Sequence, residues 1–306
     1  MNSAASEPAL IGIDWGTSSL RAFLIGSRGE VLDSVCSGQG IMHVEDRDFD
    51  AVFHGLIEPW AEMKNLPVIA SGMITSRNGW VETPYVNVPS GAEDLANALV
   101  PFETTDGVTV RFVTGMTTEH GGAPDVMRGE ETQIVGASAM GMGDGVFVMP
   151  GTHSKWITVS DGRIEDYATF MTGEVFGALR SHTILGTLMV DAPFNEDGFH
   201  QGVESGLVSG ANLLHELFHV RTLPLFGRIS EEMVADYLSG MLIGAEIRAA
   251  TAGQTANATV TIVGRDDLAD RYGIALEVAG LESRRAPDNI VARGHFLIAK
   301  SAGLLS

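Results

Sequence analysis

The 306-residue chain carries a single cysteine, Cys36, which excludes an internal disulfide framework and a cysteine-rich zinc site. Cationic side chains are scarce as well: 19 Lys and Arg stand against 39 Asp and Glu, a formal net charge of −20. Such a surface repels phosphate backbones, so nucleic acid is not an expected partner. No run reaches the roughly 18 apolar residues of a membrane-spanning helix, and the apolar stretch after Leu10 is broken at Asp14. Residues 1–10 lack a basic segment ahead of that stretch, so no export signal is read, and roughly the first eight residues read as a loose tail. A reducing cytoplasm is the expected location. No Gly-x-x-x-x-Gly-Lys-Ser/Thr motif occurs, which disfavours a P-loop kinase. The nine histidines show no metal-ligand spacing; His215 and His219 read as residues of one helix face.

What is present is an apolar content of 44%, enough for a sizeable core. Apolar, β-branched runs predict strands at Leu10–Ile13, Leu20–Ile25, Pro67–Ala70, Val108–Thr114, Val146–Met149, Trp156–Val159 and Thr259–Val263. Ser90 and Glu93 form a capping-box pattern ahead of Leu95, Ala98 and Leu99. After Ser230, the residues Met233, Val234, Tyr237, Leu238, Met241, Leu242 and Ala245 make one apolar stripe at helical spacing, a buried scaffold helix. Residues 119–125, with Gly121, Gly122 and Pro124, look like a crossover between domains. The pattern predicts an α/β protein of two similar halves, residues 1–120 and 121–306.

An internal echo carries more information. Ile13-Asp14-Trp15-Gly16-Thr17-Ser18-Ser19 precedes a strand and a turn at Arg28-Gly29; Met149-Pro150-Gly151-Thr152-His153-Ser154-Lys155 precedes a strand and a turn at Asp161-Gly162. Each half therefore opens with a β-hairpin whose tip is small and hydroxyl-rich. Glycine permits close backbone approach, and turn N–H groups beside Ser/Thr hydroxyls suit phosphate oxygens. A single such tip is also ordinary hairpin chemistry; the pair is the stronger signal. Asp14 ends a buried strand, where a carboxylate is costly unless paired or facing a cation. Mg²⁺ on nucleotide phosphates, reached through its water shell, is a natural partner, and capping of the local turn is the other reading.

These residues resemble the actin, hexokinase and Hsp70 ATPase superfamily. Asp14–Ser19 is similar to its first phosphate motif and Pro150–Lys155 to its second. Thr259–Gly264 with Arg265 to Leu268 resembles the adenosine motif, with Arg265 in place of its usual second glycine. The final helix, about 292–306, resembles the small-residue helix near the domain junction. Ile13–Arg21, Val126–Gly136, Val148–Trp156 and Leu238–Glu246 resemble the bacterial 2-dehydro-3-deoxygalactonokinase family more specifically, with Ala70–Trp80 and Met171–Glu174 adding weaker agreement.

The resemblance implies a two-domain actin-like ATPase (ribonuclease H-like) fold with ATP and Mg²⁺ in the interdomain cleft. It also implies γ-phosphoryl transfer to the 6-hydroxyl of 2-dehydro-3-deoxy-D-galactonate, a small sugar acid. Under it, Gly16, Thr17, Ser18, Ser19, Gly151, Thr152, His153 and Lys155 would hold phosphates, Asp14 the hydrated metal, and Gly264 and Arg265 the nucleoside. Related kinases place an Asp after a Gly as catalytic base; here Gly129 is followed by Glu130 and Glu131, with Glu130 the first choice. Both glutamates could instead serve the helix dipole. Arg128, Arg77 or Lys155 would meet the substrate carboxylate, with Trp80 and Glu174 lining its site; Arg21 reads as substrate-facing or structural. A same-fold kinase for another sugar, a non-catalytic ATP-binding sensor or assembly protein, and a phosphohydrolase stay open, as does the oligomeric state, a homodimer included.

Overall fold

The order β-β-β at the start of the chain is dictated by alternating apolar runs broken at tight turns. In the computed structural model, which describes residues 6–63, 65–252 and 259–305, these become β1 (Pro8–Trp15), β2 (Leu20–Gly26) and β3 (Val31–Ser37). The first five residues of the expected tail lie outside the described residues. Helix α1 (Phe49–Ile57) follows, with the Asp48 carboxylate accepting from Ala51 N–H. Then come β4 (Val68–Ser71), β5 (Tyr85–Asn87), α2 (Ala92–Asn97), β6 (Val100–Glu103), β7 (Thr109–Phe112), β8 (Gly115–His120), β9 (Ala123–Met127) and α3 (Glu130–Ala137). The sheet order is β3-β2-β1-β4-β7-β6, and β5-β8-β9 forms a smaller sheet. Ile11, Ile13 and Trp15 share the core of this part with Leu20, Ala22, Leu24, Phe53 and Phe112.

The second sheet begins with β10 (Gly145–Met149), β11 (Ser154–Ser160) and β12 (Arg163–Phe170). Five helices follow: α4 (Thr172–His182), α5 (Glu196–Ser209), α6 (Leu213–Glu216), α7 (His219–Leu225) and α8 (Val234–Ala250). The chain ends with β13 (Val260–Ile262), α9 (Asp266–Val278), β14 (Ser283–Arg285) and α10 (Ile290–Ser301). The order β12-β11-β10-β13-β14 repeats β3-β2-β1-β4-β7, and in both sheets the inner strand pairs in parallel with the next (β1 with β4, β10 with β13). The sequence echo of the two tips is thus an echo of topology.

Two compact units divide the chain: one holds residues to Asp144, Thr158–Asp166 and Pro287 onward, the other Gly145–Ile157 and Tyr167–Ala286. Residues 121–144 and the last helix, expected in the second half, lie in the first unit. The physical reason is packing. Residues 119–125 are not a crossover but the β8–β9 hairpin, turned by Gly121 (φ +59°) and Gly122 (φ +83°), a pair of left-handed residues that suits a two-residue hairpin. Helix α10 lies on α3 so closely that a Cβ on Gly294 would sit 1.9 Å from the Thr132 carbonyl oxygen. The start of α2 also differs from expectation: Gly91, not Ser90, caps it, its N–H bonded to Asp94, while the Ser90 hydroxyl donates to the Asn87 carbonyl.

The apolar stripe on α8 is buried as its spacing predicts, with Val234, Leu238 and Met241 fully covered. Its opposite face meets α5 backbone to backbone: a Cβ on Gly240 would lie 2.1 Å from the Phe199 oxygen, and one on Gly202 2.1 Å from the Tyr237 oxygen. Gly240→Ala is therefore expected to force the helices apart at a cost of about 1–3 kcal/mol, read as a lowered melting temperature.

Candidate active site

Strands β1 and β4 run parallel, with Asp14 opposite Ser71 at their C-terminal ends, where α/β sheets gather ligands. The chain then turns on glycines that nothing else could replace. Gly72 has φ +99°, and a Cβ there would lie 2.7 Å from the Trp15 carbonyl oxygen; Gly129 has φ +104°, and its Cβ would lie 2.9 Å from the Gly72 Cα. The ends of β1 and β4 and the start of α3 therefore touch backbone to backbone. Asp14 and Glu130, the first residue of α3, are brought to the same edge of the first unit.

The two adjacent glutamates face different environments. Glu131 is fully buried, and its carboxyl accepts from Gly129 N–H at 2.7 and 3.0 Å and from the Thr132 hydroxyl at 3.2 Å. Burial first, and then the neighbouring Glu130 charge, push its pKa up to about 8. Glu130 is half-buried, and its carboxylate accepts from Arg128 N–H at 2.9 Å. Of the two, only Glu130 presents a carboxylate with access to solvent.

Asp14 is paired with Arg21 across β1 and β2 at 2.6 Å, through Oδ2. This answers the cost of its position: neither a turn cap nor an unpaired charge, it is held by the neighbouring strand. The adjoining tip is a tight hairpin in which Gly16 N–H bonds to the Ser19 carbonyl, while Thr17, Ser18 and Ser19 are exposed. Gly40 supports the tip from behind, since a Cβ there would lie 2.4 Å from Ser18 backbone atoms. Ser71, beside Asp14, hydrogen-bonds His295 Nε2 of α10 at 2.8 Å. Burial, then the Arg21 charge, hold that imidazole's pKa near 3, so it is neutral. Nothing in the local sequence signals this pair, which joins residues 224 apart.

The other candidates of the first unit separate. The Arg128 guanidinium donates to the hydroxyls of Thr75 (2.8 Å) and Thr83 (2.6 Å) and to the Thr83 carbonyl, and lies 4.3 Å over the Tyr85 ring. It fastens the segment after β4 to the approach to α3. The Trp80 ring, partly buried, packs against the core among Trp15, Phe49, Phe53, Phe102 and Phe112 at centroid distances of 5.1–6.4 Å. Arg77 is exposed on the same loop.

In the second unit, Gly151, Thr152 and His153 form the corresponding tip. His153 Nε2 meets the Glu174 carboxylate at 2.5 Å, and Glu174 N–H donates to the Thr152 carbonyl at 3.0 Å, so the start of α4 grips this tip. Lys155 is not extended into solvent; its buried side chain turns its ammonium back to the His153 carbonyl at 3.2 Å. Gly264 sits beside the tip, its would-be Cβ 3.5 Å from Pro150, and Arg265 pairs with Asp267 at 3.0 Å. A cavity of about 250 Å³ opens next to Gly151, walled by Thr172 and Gly173 of the α4 start, Ser239 and Leu242 of α8, and Leu268 and Tyr272 of α9. His215 of α6 and His219 of α7, on two short helices rather than one helix face, meet edge to face, and His219 pairs with Glu216. Among the described residues no cluster of His, Cys, Asp and Glu forms a metal cage, and no helix is long and apolar enough to cross a membrane.

A doubled strand order with a glycine tip at the head of each sheet defines an α/β protein of the actin-like ATPase fold. The sequence model of the 2-keto-3-deoxy-galactonokinase family matches residues 14–298, and the chain belongs to that family. A probable 2-dehydro-3-deoxygalactonokinase of Rhizobium meliloti is 36% identical over 276 residues, covering 89% of this chain and 90% of that protein. The 2-dehydro-3-deoxygalactonokinase of Escherichia coli is 34% identical over 272 residues, with coverage of 89% and 90%. The crystal structure of a 2-dehydro-3-deoxygalactonokinase candidate from Sinorhizobium meliloti superposes with a TM-score of 0.87 at 34% identity, over 96% of this chain and 98% of that one.

Proposed function

We propose that this chain is a carbohydrate kinase that transfers the γ-phosphoryl group of ATP to the 6-hydroxyl of 2-dehydro-3-deoxy-D-galactonate, in the cytoplasm, in the breakdown of galactonate. Family membership supports the reaction; the observation that carries the chemistry is the close backbone approach of Trp15, Gly72 and Gly129, whose neighbours Asp14 and Glu130 we assign to the reaction. Phosphoryl transfer asks for alignment and charge neutralisation more than for covalent chemistry from the protein. Backbone N–H groups and hydroxyls at Gly16–Ser19 and Gly151–His153 hold phosphate oxygens, and Glu174 orients His153 for that task. Glu130 takes the proton of the attacking hydroxyl as the new O–P bond forms and the bond to ADP breaks. Glu131, buried and with a raised pKa, secures the turn into α3 instead.

Mg²⁺ fits the residues present: one Asp14 oxygen is engaged by Arg21, the carboxylate is only partly covered, and the lack of an all-protein cage among the described residues suits an ion carried on phosphates. When bound, such an ion neutralises phosphate charge. The cavity beside Gly151 takes the nucleoside. Arg77, the exposed guanidinium after β4, meets the substrate carboxylate, with Arg128 setting the loop that carries it. The proposal is tested by phosphorus NMR of the product formed from ATP and the sugar acid. A phosphate ester split by coupling to two protons on one carbon is expected; free phosphate in its place would overturn the reading.

A further inference from the structure

Helix α8 carries two buried carboxylates that the reaction does not use: Asp236, paired with Arg271, and Glu246. Glu246 closes an otherwise apolar stretch, is 3% exposed, and is the hub of a buried hydrogen-bond network. Oε1 accepts from the Ser154 hydroxyl and Trp156 Nε1, both at 2.7 Å, and from the Tyr272 hydroxyl at 3.0 Å. Oε2 accepts from Tyr272 at 2.9 Å and from the Thr172 hydroxyl. Burial raises the carboxyl's pKa against the opposing pull of these donors, and it raises that of Tyr272 well above its ordinary value. A buried carboxyl costs several kcal/mol unless its donors are all supplied, and hydrophobic residues would fill the same space without that cost.

The four donors are not scattered. Ser154 and Trp156 belong to the hairpin arm directly behind the Gly151–His153 tip. Thr172 opens α4, whose next residues touch the tip: a Cβ on Gly173 would lie 2.4 Å from the Gly151 oxygen, and Glu174 bonds Thr152 and His153. Tyr272 lies on α9, the helix that follows Gly264, and lines the cavity together with Thr172. One side chain thus ties the phosphate tip, the α4 start and the cavity wall into a single frame.

From this we infer that Glu246 is a positioning residue for nucleotide binding: acting through Tyr272, Thr172 and Ser154, it fixes the cavity wall relative to the phosphate tip. The inference rests on the nucleotide reading of that cavity. A preorganised frame lowers the cost of binding, so its effect falls on ATP and not on the sugar acid.

The test uses the full-length protein, its Glu246→Gln and Tyr272→Phe forms, and the double variant. Calorimetry with a non-hydrolysable ATP analogue is combined with KM for ATP, KM for the sugar acid and thermal melting. Gln keeps the shape, and the hydroxyls can turn to meet its amide, but the two-oxygen acceptor for Tyr272 is lost. Each single variant is expected to weaken analogue binding and raise the KM for ATP about tenfold, with the KM for the sugar acid unchanged. The double variant should lose less than the product of the two, because both act through one contact. Unaltered analogue binding in both single variants, or equal rises in both KM values, would overturn the inference. A lowered melting temperature with unaltered binding would do so too, by marking a purely structural role. Tyr272→Phe deletes a single hydroxyl and keeps the test readable if Glu246→Gln does not fold. Failure of the unsubstituted protein to bind the analogue would instead overturn the nucleotide reading itself.

Discussion

Glu130→Gln is expected to lower kcat by about 10²- to 10⁴-fold, the usual contribution of a positioned general base, while Glu131→Gln keeps kcat within about tenfold. A base must be ionised and must reach the hydroxyl. Glu131 meets neither demand: its carboxyl is fully buried, bonded back to Gly129 N–H, and held with a pKa near 8. The same property gives Glu131→Gln its own signature. A carboxyl whose folded pKa lies above its unfolded value binds its proton more tightly when folded, so its contribution is full below about pH 4.5 and is lost as pH rises towards 8. The Gln variant has no proton to lose. Its melting temperature should therefore gain on the unsubstituted protein as pH is raised from about 5 to about 8. A parallel pH dependence for the two proteins, with kcat lost on Glu131→Gln, would exchange the roles of the two glutamates.

Asp14→Asn is expected to cut kcat by about 10²- to 10³-fold with little change in melting temperature, as befits a group whose charge acts on the transferred phosphoryl. The competing explanation is that Asp14 matters only through its pair with Arg21. That pair is partly exposed, with 43% of the Arg21 side chain accessible, and such pairs are worth about 1 kcal/mol or less. Arg21→Gln is the control: it should leave most of kcat in place. Similar losses in both variants would assign Asp14 a structural part and remove it from the reaction.

The central strands, the α8 stripe and the doubled hairpin tips were legible in the sequence because each rests on local periodicity or on a short turn motif. The repeat of strand order in the two sheets extends the echo of Gly16-Thr17 and Gly151-Thr152. What escaped the sequence was tertiary. Gly121 and Gly122 read as breakers, and only their left-handed φ values make them a hairpin turn. Gly294 declares its place in the first unit only once α3 is seen 1.9 Å from its missing Cβ. The five rings packed around Trp80 come from segments far apart in the chain, so its aromatic cluster is not readable from its own stretch. Glu246 had a signal, a charge at the end of an apolar helical stretch, but its four donors come from three other elements. The contrast between Glu130 and Glu131 depended on burial, which adjacent positions at a helix start do not disclose.

The most direct test of the central claim couples ADP production to a panel of acceptors: 2-dehydro-3-deoxygalactonate, its gluconate epimer, galactonate, and no acceptor. The account predicts ADP formation with the first compound and none without an acceptor. Equal rates with and without acceptor would make the protein a phosphohydrolase, preference for another acid would move the substrate, and silence throughout would contradict the kinase reading altogether.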